Sequence, residues 1–280
     1  MPDTGSGDRA DSDRSADPAD RANGSATAAA PGPSDRTAAP TVRLLEPHDV
    51  PAAAAVLARA FVAEPAKHAL FGHGSASGEP FADASARARF TEAAARGRLA
   101  VAARYAAVHV ATLDGAVAGV AMWYPPGLTP GAPPLSAVVP PLLTPGTRVL
   151  SLIARAGRIL WRDRGALRRV FTNRSAAAKQ AGRGPSWYLA VLGTDPDYRG
   201  RGVARHLLER TLERCDIEGL PAWLETTEEA TAGMYARFGF ETIAAIDPGL
   251  VLPGVWVMRR EPRPGAARAA PSAPASHAGG

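Results

Sequence analysis

The chain has 280 residues, a net charge of +5, a single cysteine (Cys215) and no run of eighteen uncharged apolar residues. One cysteine excludes a disulfide framework and a cysteine-rich metal site. The lack of a long apolar run argues against a membrane-spanning helix, and the start shows no apolar signal region, so a soluble cytoplasmic protein without membrane partners is expected.

Composition divides the chain. Residues 1–40 hold seven Asp and four Arg among Ser, Ala, Gly and Pro, with no aromatic residue. Such a segment buries too little to offset its ordering entropy, so a disordered N-terminal tail is expected, and residues 261–280 read as a similar C-terminal tail. Residues 41–260 form one domain in this reading. Everything after residue 40 carries +8 in total, because the N-terminal tail is net negative. Aromatic-basic interleaving, helix-turn-helix patterns and zinc spacings are missing, which disfavours nucleic acid and leaves a polyanionic small ligand as the economical partner. His48, His68, His73, His109 and His277 show no metal-ligand spacing, and no metal is expected.

In chain order, Thr41–Leu45 alternates like a short strand. Asp49 stands where a helix N-cap belongs, with Pro51 just inside, and apolar residues recur at helical spacing over 49–63. Gly72, Gly74 and Gly78 mark a loop. A helical pattern resumes near Phe81 and runs to about Tyr105, with Gly97 as an expected interruption. Val108–Leu113 and Ala116–Tyr124 flank Asp114-Gly115, the strongest short hairpin signal in the chain. Eight prolines between Pro125 and Pro145 then predict a wall or lid loop, or a short helix bracketed by prolines. Amphipathic helices are expected from Gly146 to Trp161 and over roughly 163–180, so 125–185 reads as an insertion.

Ser186–Thr194 is an apolar run that ends at Asp195-Pro196. It leads through Arg199-Gly200-Arg201-Gly202 into a helix stripe formed by Val203, Leu207, Leu208, Thr211 and Leu212. Strand, glycine-bearing turn and helix N-terminus make an anion cradle, because unpaired N–H groups and the helix dipole both favour negative charge there. Taken alone the Arg-Gly-Arg-Gly stretch also fits an ordinary turn with solvated arginines. A nucleotide P-loop is disfavoured because no Lys-Ser/Thr follows the glycines. Cys215 falls on the same helix as an inert thiol, packed or half-exposed, and His206 reads as part of its solvated face. Ala222–Thr226 is a strand, Glu229–Phe238 a short helix stopped by Gly239, and Phe240–Ile246 and Val255–Met258 are further strands. The order β-α-α-β-β, insertion, β-α-β-α-β-β predicts an α/β fold with a mixed sheet flanked by helices.

Residues 186–206, Leu224-Glu225-Thr226-Thr227 and Met234-Tyr235-Ala236-Arg237-Phe238-Gly239-Phe240 resemble the cofactor-binding core of the GCN5-related N-acetyltransferase (GNAT) superfamily. The likeness is closest to the branch containing puromycin N-acetyltransferase, through Trp187-Tyr188-Leu189, the Leu-Glu-Thr strand end and the Pro253–Arg259 ending. It covers roughly 41–262 and is loosest across 65–180.

The resemblance implies a mostly antiparallel mixed sheet, acetyl-CoA as the acyl donor and a small-molecule primary amine as acceptor, an aminonucleoside-like antibiotic or metabolite being one such amine. Peptide acetylation and a non-catalytic acetyl-CoA sensor are the alternatives, and either a monomer or a homodimer is compatible. Arg199, Gly200, Arg201, Gly202, Val203 and Ala204 match the family's pyrophosphate loop, and Val191, Leu192, Gly193 and Thr194 would hold the thioester end. Thr231 replaces the Asn that commonly contacts cofactor, and Ser186 stands where many relatives have His. Tyr235 is the expected proton donor to the leaving thiolate. Glu225 is the expected base or substrate anchor. Trp123 and Tyr124, before the proline-rich segment, are candidate walls for the acceptor, with core packing as the other reading. Acceptor choice would lie in residues 65–90 and 125–185.

Overall fold

The computed structural model describes residues 39–61, 80–128, 135–162, 164–247 and 254–264. The loop at Gly72, Gly74 and Gly78 and nearly all of both expected tails lie outside the described residues.

Seven strands form one sheet: β1 (Thr41–Leu44), β2 (Ala107–Leu113), β3 (Ala116–Tyr124), β4 (Trp187–Thr194), β5 (Ala222–Thr226), β6 (Glu241–Ile246) and β7 (Val255–Arg260). Their spatial order is β1-β2-β3-β4-β5-β7-β6. Only β4 and β5 run parallel; the other neighbours are antiparallel. The Asp114-Gly115 turn has φ of 53° and 78°, the left-handed pair that a two-residue hairpin needs to match strand twist.

Among the described residues, seven helices flank the sheet: α1 (Val50–Ala60), α2 (Ala84–Ala102), α3 (Leu135–Leu142), α4 (Val149–Arg162), α5 (Arg164–Ala181), α6 (Val203–Glu218) and α7 (Glu229–Ala236). On one face α1 and α2 bury Ala53, Val56, Leu57 and Leu99 against Val110, Val120 and Met122. Farther along this face α5 sets Ala177 and Ala181 against Val257 and Trp223. The opposite face packs Leu207, Leu208 and Leu212 of α6, with Tyr235 of α7, onto Trp123, Leu189 and Leu224. Each such buried aliphatic side chain stabilises the fold by about 1.5–3 kcal/mol relative to exposure. Cys215 belongs to this layer, and burial pushes its thiol up to about 12, which makes it inert as a nucleophile.

Two glycines set how closely the helices approach the sheet. A Cβ on Gly119 would lie 2.5 Å from Val203 Cγ1, and one on Gly193 would lie 2.7 Å from Leu57 Cδ2. Side chains at these positions would push α6 and α1 off opposite faces of β3 and β4. The start of α6 is thereby held at the end of β4.

The structure corrects one local expectation and refines two. Asp49 is the N-cap residue of α1, as expected, but its side chain does not cap the helix; it is buried, accepts from Glu46 N–H and binds the Arg43 guanidinium at 2.8 Å. Its proximity to Arg43 across a 3-10 turn outweighs the local capping preference. Gly97 does not interrupt α2. A Cβ there would stand 2.9 Å from the Ala137 Cα, so this glycine lets α3 rest on the α2 backbone. The first insertion helix, α3, lies between Pro134 and Pro145 in the sequence, as expected, and also contains Pro140 and Pro141.

The strand pairing opens a gap. Val191 pairs with Met122 and Leu189 with Trp123, which leaves Ala190 as an extra, unpaired residue, a β-bulge. β4 pairs with β5 only over Trp187–Leu189 and Ala222–Leu224. Beyond that point β4 continues to Thr194 without β5, while Glu225 and Thr226 pair only with β7. The two parallel strands separate just past the bulge.

Candidate active site

One wall of the opening is the end of β4, where Val191, Leu192, Gly193 and Thr194 alternate between buried and half-buried. The chain then turns through a short 3-10 segment, Pro196–Tyr198. Asp195 is 2% exposed and anchors this turn by accepting from Asp197 N–H at 3.2 Å and from the Arg59 guanidinium, while its own N–H reaches the Ala118 carbonyl at 2.9 Å. Burial alone raises the Asp195 carboxyl; the Arg59 pair and the Asp197 N–H outweigh it and hold the group below the usual range.

Gly200 and Gly202 have φ of 74° and 78°. Both positions are nearly free of neighbours, so backbone conformation rather than space calls for glycine. Among the described residues, no hydrogen bond occupies the N–H groups from Gly200 through Arg205. The sixteen-residue α6 begins at Val203, so its dipole adds to these six donors. Val203 is buried and Ala204 half-buried. Arg201 pairs with Asp114 at 2.9 Å and lies over the Tyr198 ring, while the exposed Arg199 reaches the Ala60 carbonyl at 3.4 Å. His206 is not a solvated face residue as expected: it is half-buried, with Nδ1 2.9 Å from the Gly202 carbonyl. A helical residue four positions on can turn its ring back over the loop.

Tyr235 and Glu225 approach the sheet from opposite faces. Tyr235 is 6% exposed, meets Phe240 edge-to-face at 5.8 Å and packs in the layer that holds Leu224. Burial pushes its phenol well above the ordinary value, which keeps it protonated. No hydrogen bond holds its hydroxyl among the described residues. Thr231, in the same helix, donates to the Glu228 carboxylate at 3.0 Å. Glu225 lies one residue past Leu224 and therefore on the other face, with Trp223. Its Oε1 and Oε2 accept from Nε and Nη2 of Arg174, on α5, at 2.9 and 2.6 Å.

Beside Glu225 an aromatic row crosses the sheet. Tyr188 stacks on Trp223 at 4.1 Å, Tyr124 follows at 6.1 Å, and Tyr105 lies 5.9 Å beyond. Burial, with a smaller contribution from Glu225, pushes the Tyr188 phenol up to about 12. Tyr124 is thus on the same face of the sheet as Glu225, and Trp123 is not. Neighbouring strand residues point to opposite faces, and Trp123 is fully buried in the α6 layer, so its core reading is the correct one. Ser186 is buried at the start of β4.

Residues 153–242 match the model of the acetyltransferase (GNAT) domain. This stretch, about a third of the chain, carries the signature of a GNAT-superfamily acetyltransferase domain. The seven-stranded mixed sheet with flanking helices is an α/β fold. The matched part of the GNAT domain runs from α4 into β6 and contains the loop, the strand opening, Glu225 and Tyr235. A 55-residue stretch, 20% of the chain, is 40% identical to 22% of an uncharacterised N-acetyltransferase of Schizosaccharomyces pombe. Seventy residues, 24% of the chain, are 34% identical to 48% of an acetyltransferase of Pectobacterium atrosepticum, and a mycothiol acetyltransferase of Propionibacterium freudenreichii is 34% identical over the same length, 22% of that protein. The chain therefore spans between about a fifth and a half of the curated relatives it matches. Among solved structures, a protein described as histone acetyltransferase HPA2 and related acetyltransferase, from Corynebacterium glutamicum, aligns over 81% of this chain and 98% of its own, at 20% identity and TM-score 0.49. A Drosophila melanogaster polyamine N-acetyltransferase aligns over 79% and 99%, at 15% identity and TM-score 0.48.

Sequence reasoning missed Arg59, Arg174, Tyr188, Tyr105 and Trp223 around this opening. Asp195 carried a local signal, since Asp before Pro commonly starts a turn. Arg174 carried none, being one of several arginines on a basic helix.

Proposed function

We propose that this chain is an N-acetyltransferase that moves the acetyl group of acetyl-CoA to a primary amine of a small molecule in the cytoplasm. One observation carries the reading: the β4–β5 opening ends at the six N–H groups from Gly200 to Arg205 that have no partner among the described residues. A pyrophosphate fits such a cradle, because donors and helix dipole are aimed at one place and the two glycines leave no Cβ in the way. Bound there, acetyl-CoA supplies a thioester whose C–S bond breaks as the amine nitrogen forms its C–N bond.

In this proposal Arg199 to Ala204 hold the phosphates, assisted by Thr231, and the backbone from Val191 to Thr194 holds the acyl end. N–H groups around Leu192 stabilise the negative charge that develops on the carbonyl oxygen. Tyr235 gives its proton to the departing sulfur and regains one from the amine, so the sum is amine plus thioester going to amide plus thiol. Glu225 first anchors the ammonium and then removes its extra proton. Tyr124 and Tyr188 line the acceptor side, near Ser186. The proline-rich segment favours an enclosed small acceptor over a peptide groove, and the likeness to the puromycin N-acetyltransferase branch supports an aminonucleoside-like amine.

Replacing Gly202 by Val tests the phosphate cradle. A β-branched residue at φ 78° is strained by about 1–2 kcal/mol, so calorimetry with acetyl-CoA is expected to show roughly tenfold weaker binding than wild type. Equal affinity would place the phosphates elsewhere.

A further inference from the structure

The Arg174–Glu225 pair has the chemistry of an occupied subsite rather than of a tether. Both carboxylate oxygens are taken by one guanidinium, with the aromatic pair Tyr188–Trp223 beside them. The Glu225 side chain is 11% exposed while Arg174 is 46% exposed, so the anion is fixed in the site and the cation comes from the solvent side. The helix does not depend on this contact. Its end is held by Ala177 and Ala181 packing on Val257, and Arg259 donates to the Ala181 and Arg183 carbonyls. A nearly buried carboxylate needs a cation whether or not substrate is present, because desolvating it unpaired is costly. The Arg174 side chain is half-exposed, so its guanidinium can give way to another cation without disturbing the packed part of the helix.

We propose that Arg174 is an internal stand-in for the acceptor: its guanidinium occupies the cation subsite of Glu225 and must leave before a substrate ammonium can enter. The inference rests on the acetyltransferase reading above and names both the acceptor class and a specificity-determining residue. The acceptor is a cation whose ammonium replaces the guanidinium on Glu225, with its apolar part against Tyr188 and Trp223. While Arg174 is in place, each Glu225 oxygen already accepts a hydrogen bond from its guanidinium, which holds the cation position that the ammonium needs. Displacement therefore opens the subsite and frees the proton acceptor in one movement, which needs only a rotamer change of a half-exposed side chain. Uncharged alcohols and amides of the same shape lack the charge needed to displace Arg174 and are excluded.

The test uses the full chain with Arg174→Gln and Arg174→Lys. With 2-phenylethylamine as the amine probe, Arg174→Gln should lower the amine KM about fivefold, the equivalent of one exchanged exposed pair, and Arg174→Lys should restore it towards wild type. An unchanged or raised KM in Arg174→Gln would overturn the proposal and make the pair a tether. Calorimetry with methylguanidinium separates this inference from the functional reading, since it needs no turnover. Binding to Arg174→Gln, but neither to wild type nor to Arg174→Gln/Glu225→Gln, supports the stand-in even if no amine is acetylated. No binding to Arg174→Gln overturns it.

Discussion

Tyr235→Phe is expected to lower turnover by about 10²–10⁴-fold, the range typical of a lost general acid, while acetyl-CoA affinity changes by less than about twofold, because the ring does not hold the phosphates. The substitution keeps the ring that meets Phe240 edge-to-face, so packing is retained and only the hydroxyl is removed. Burial raises this phenol above its ordinary value near 10, so it remains protonated across the neutral and mildly alkaline range. The wild-type rate should accordingly show no loss from phenol ionisation between pH 7 and 10. A raised phenol is also a weaker acid than a free thiol, so its proton moves as the C–S bond breaks and negative charge collects on sulfur. Stopped-flow or steady-state thiol release checks the prediction; a variant that keeps more than a third of wild-type turnover removes Tyr235 from the chemistry.

The second large effect concerns stability. Arg260 is 2% exposed and makes three side-chain hydrogen bonds: Nε to the Phe238 carbonyl at 2.9 Å, and Nη1 and Nη2 to the two Asp216 oxygens at 2.7 Å each. It ties the last strand to α6 and to the turn after α7. Arg260→Leu leaves the Asp216 carboxylate without its main partner, and breaking a buried pair from one side costs about 3–5 kcal/mol. For a domain of this size the melting temperature is expected to fall by roughly 6–20 °C. Burial alone raises the Asp216 carboxyl, but Arg260 and the Arg263 N–H outweigh it and hold it below the usual range. A carboxyl lowered in the folded state contributes stability above its unfolded value near 4 and loses it as pH falls through the folded value. The gap between variant and wild type should therefore be full at pH 7 and shrink below about pH 4. Melting curves at both pH values decide it, and a shift under 3 °C at pH 7 would show that the pair is not the tie described. Replacing both partners by leucine should recover much of the loss.

Local signals in the sequence carried most of the fold. Asp114-Gly115 specified the hairpin because few other dipeptides accept two left-handed residues, and Gly200 and Gly202 marked the loop before α6 for the same reason. The order of strands and helices was readable from periodicity, including the insertion between β3 and β4. What escaped depends on partners distant in sequence. Gly97 reads as a break until Ala137 is seen against it. Trp123 and Tyr124 cannot line one pocket, since neighbouring strand residues face opposite layers, and alternation alone was enough to say so. Arg174 meets Glu225 across 51 residues, a contact that no local pattern announces. For the same reason the placement of Glu225 and Tyr235 on opposite faces of the sheet became visible only with the β4–β5 register in hand.

Acetyl-CoA-dependent thiol release by the wild-type chain, measured against a panel of small primary amines that includes 2-phenylethylamine and an aminonucleoside, tests the central claim most directly. The account predicts amine-dependent thiol release with at least one member, saturable in both substrates, with the acetyl group recovered as an amide. Tight acetyl-CoA binding without release for any amine would contradict it and leave a cofactor-binding module in place of an enzyme.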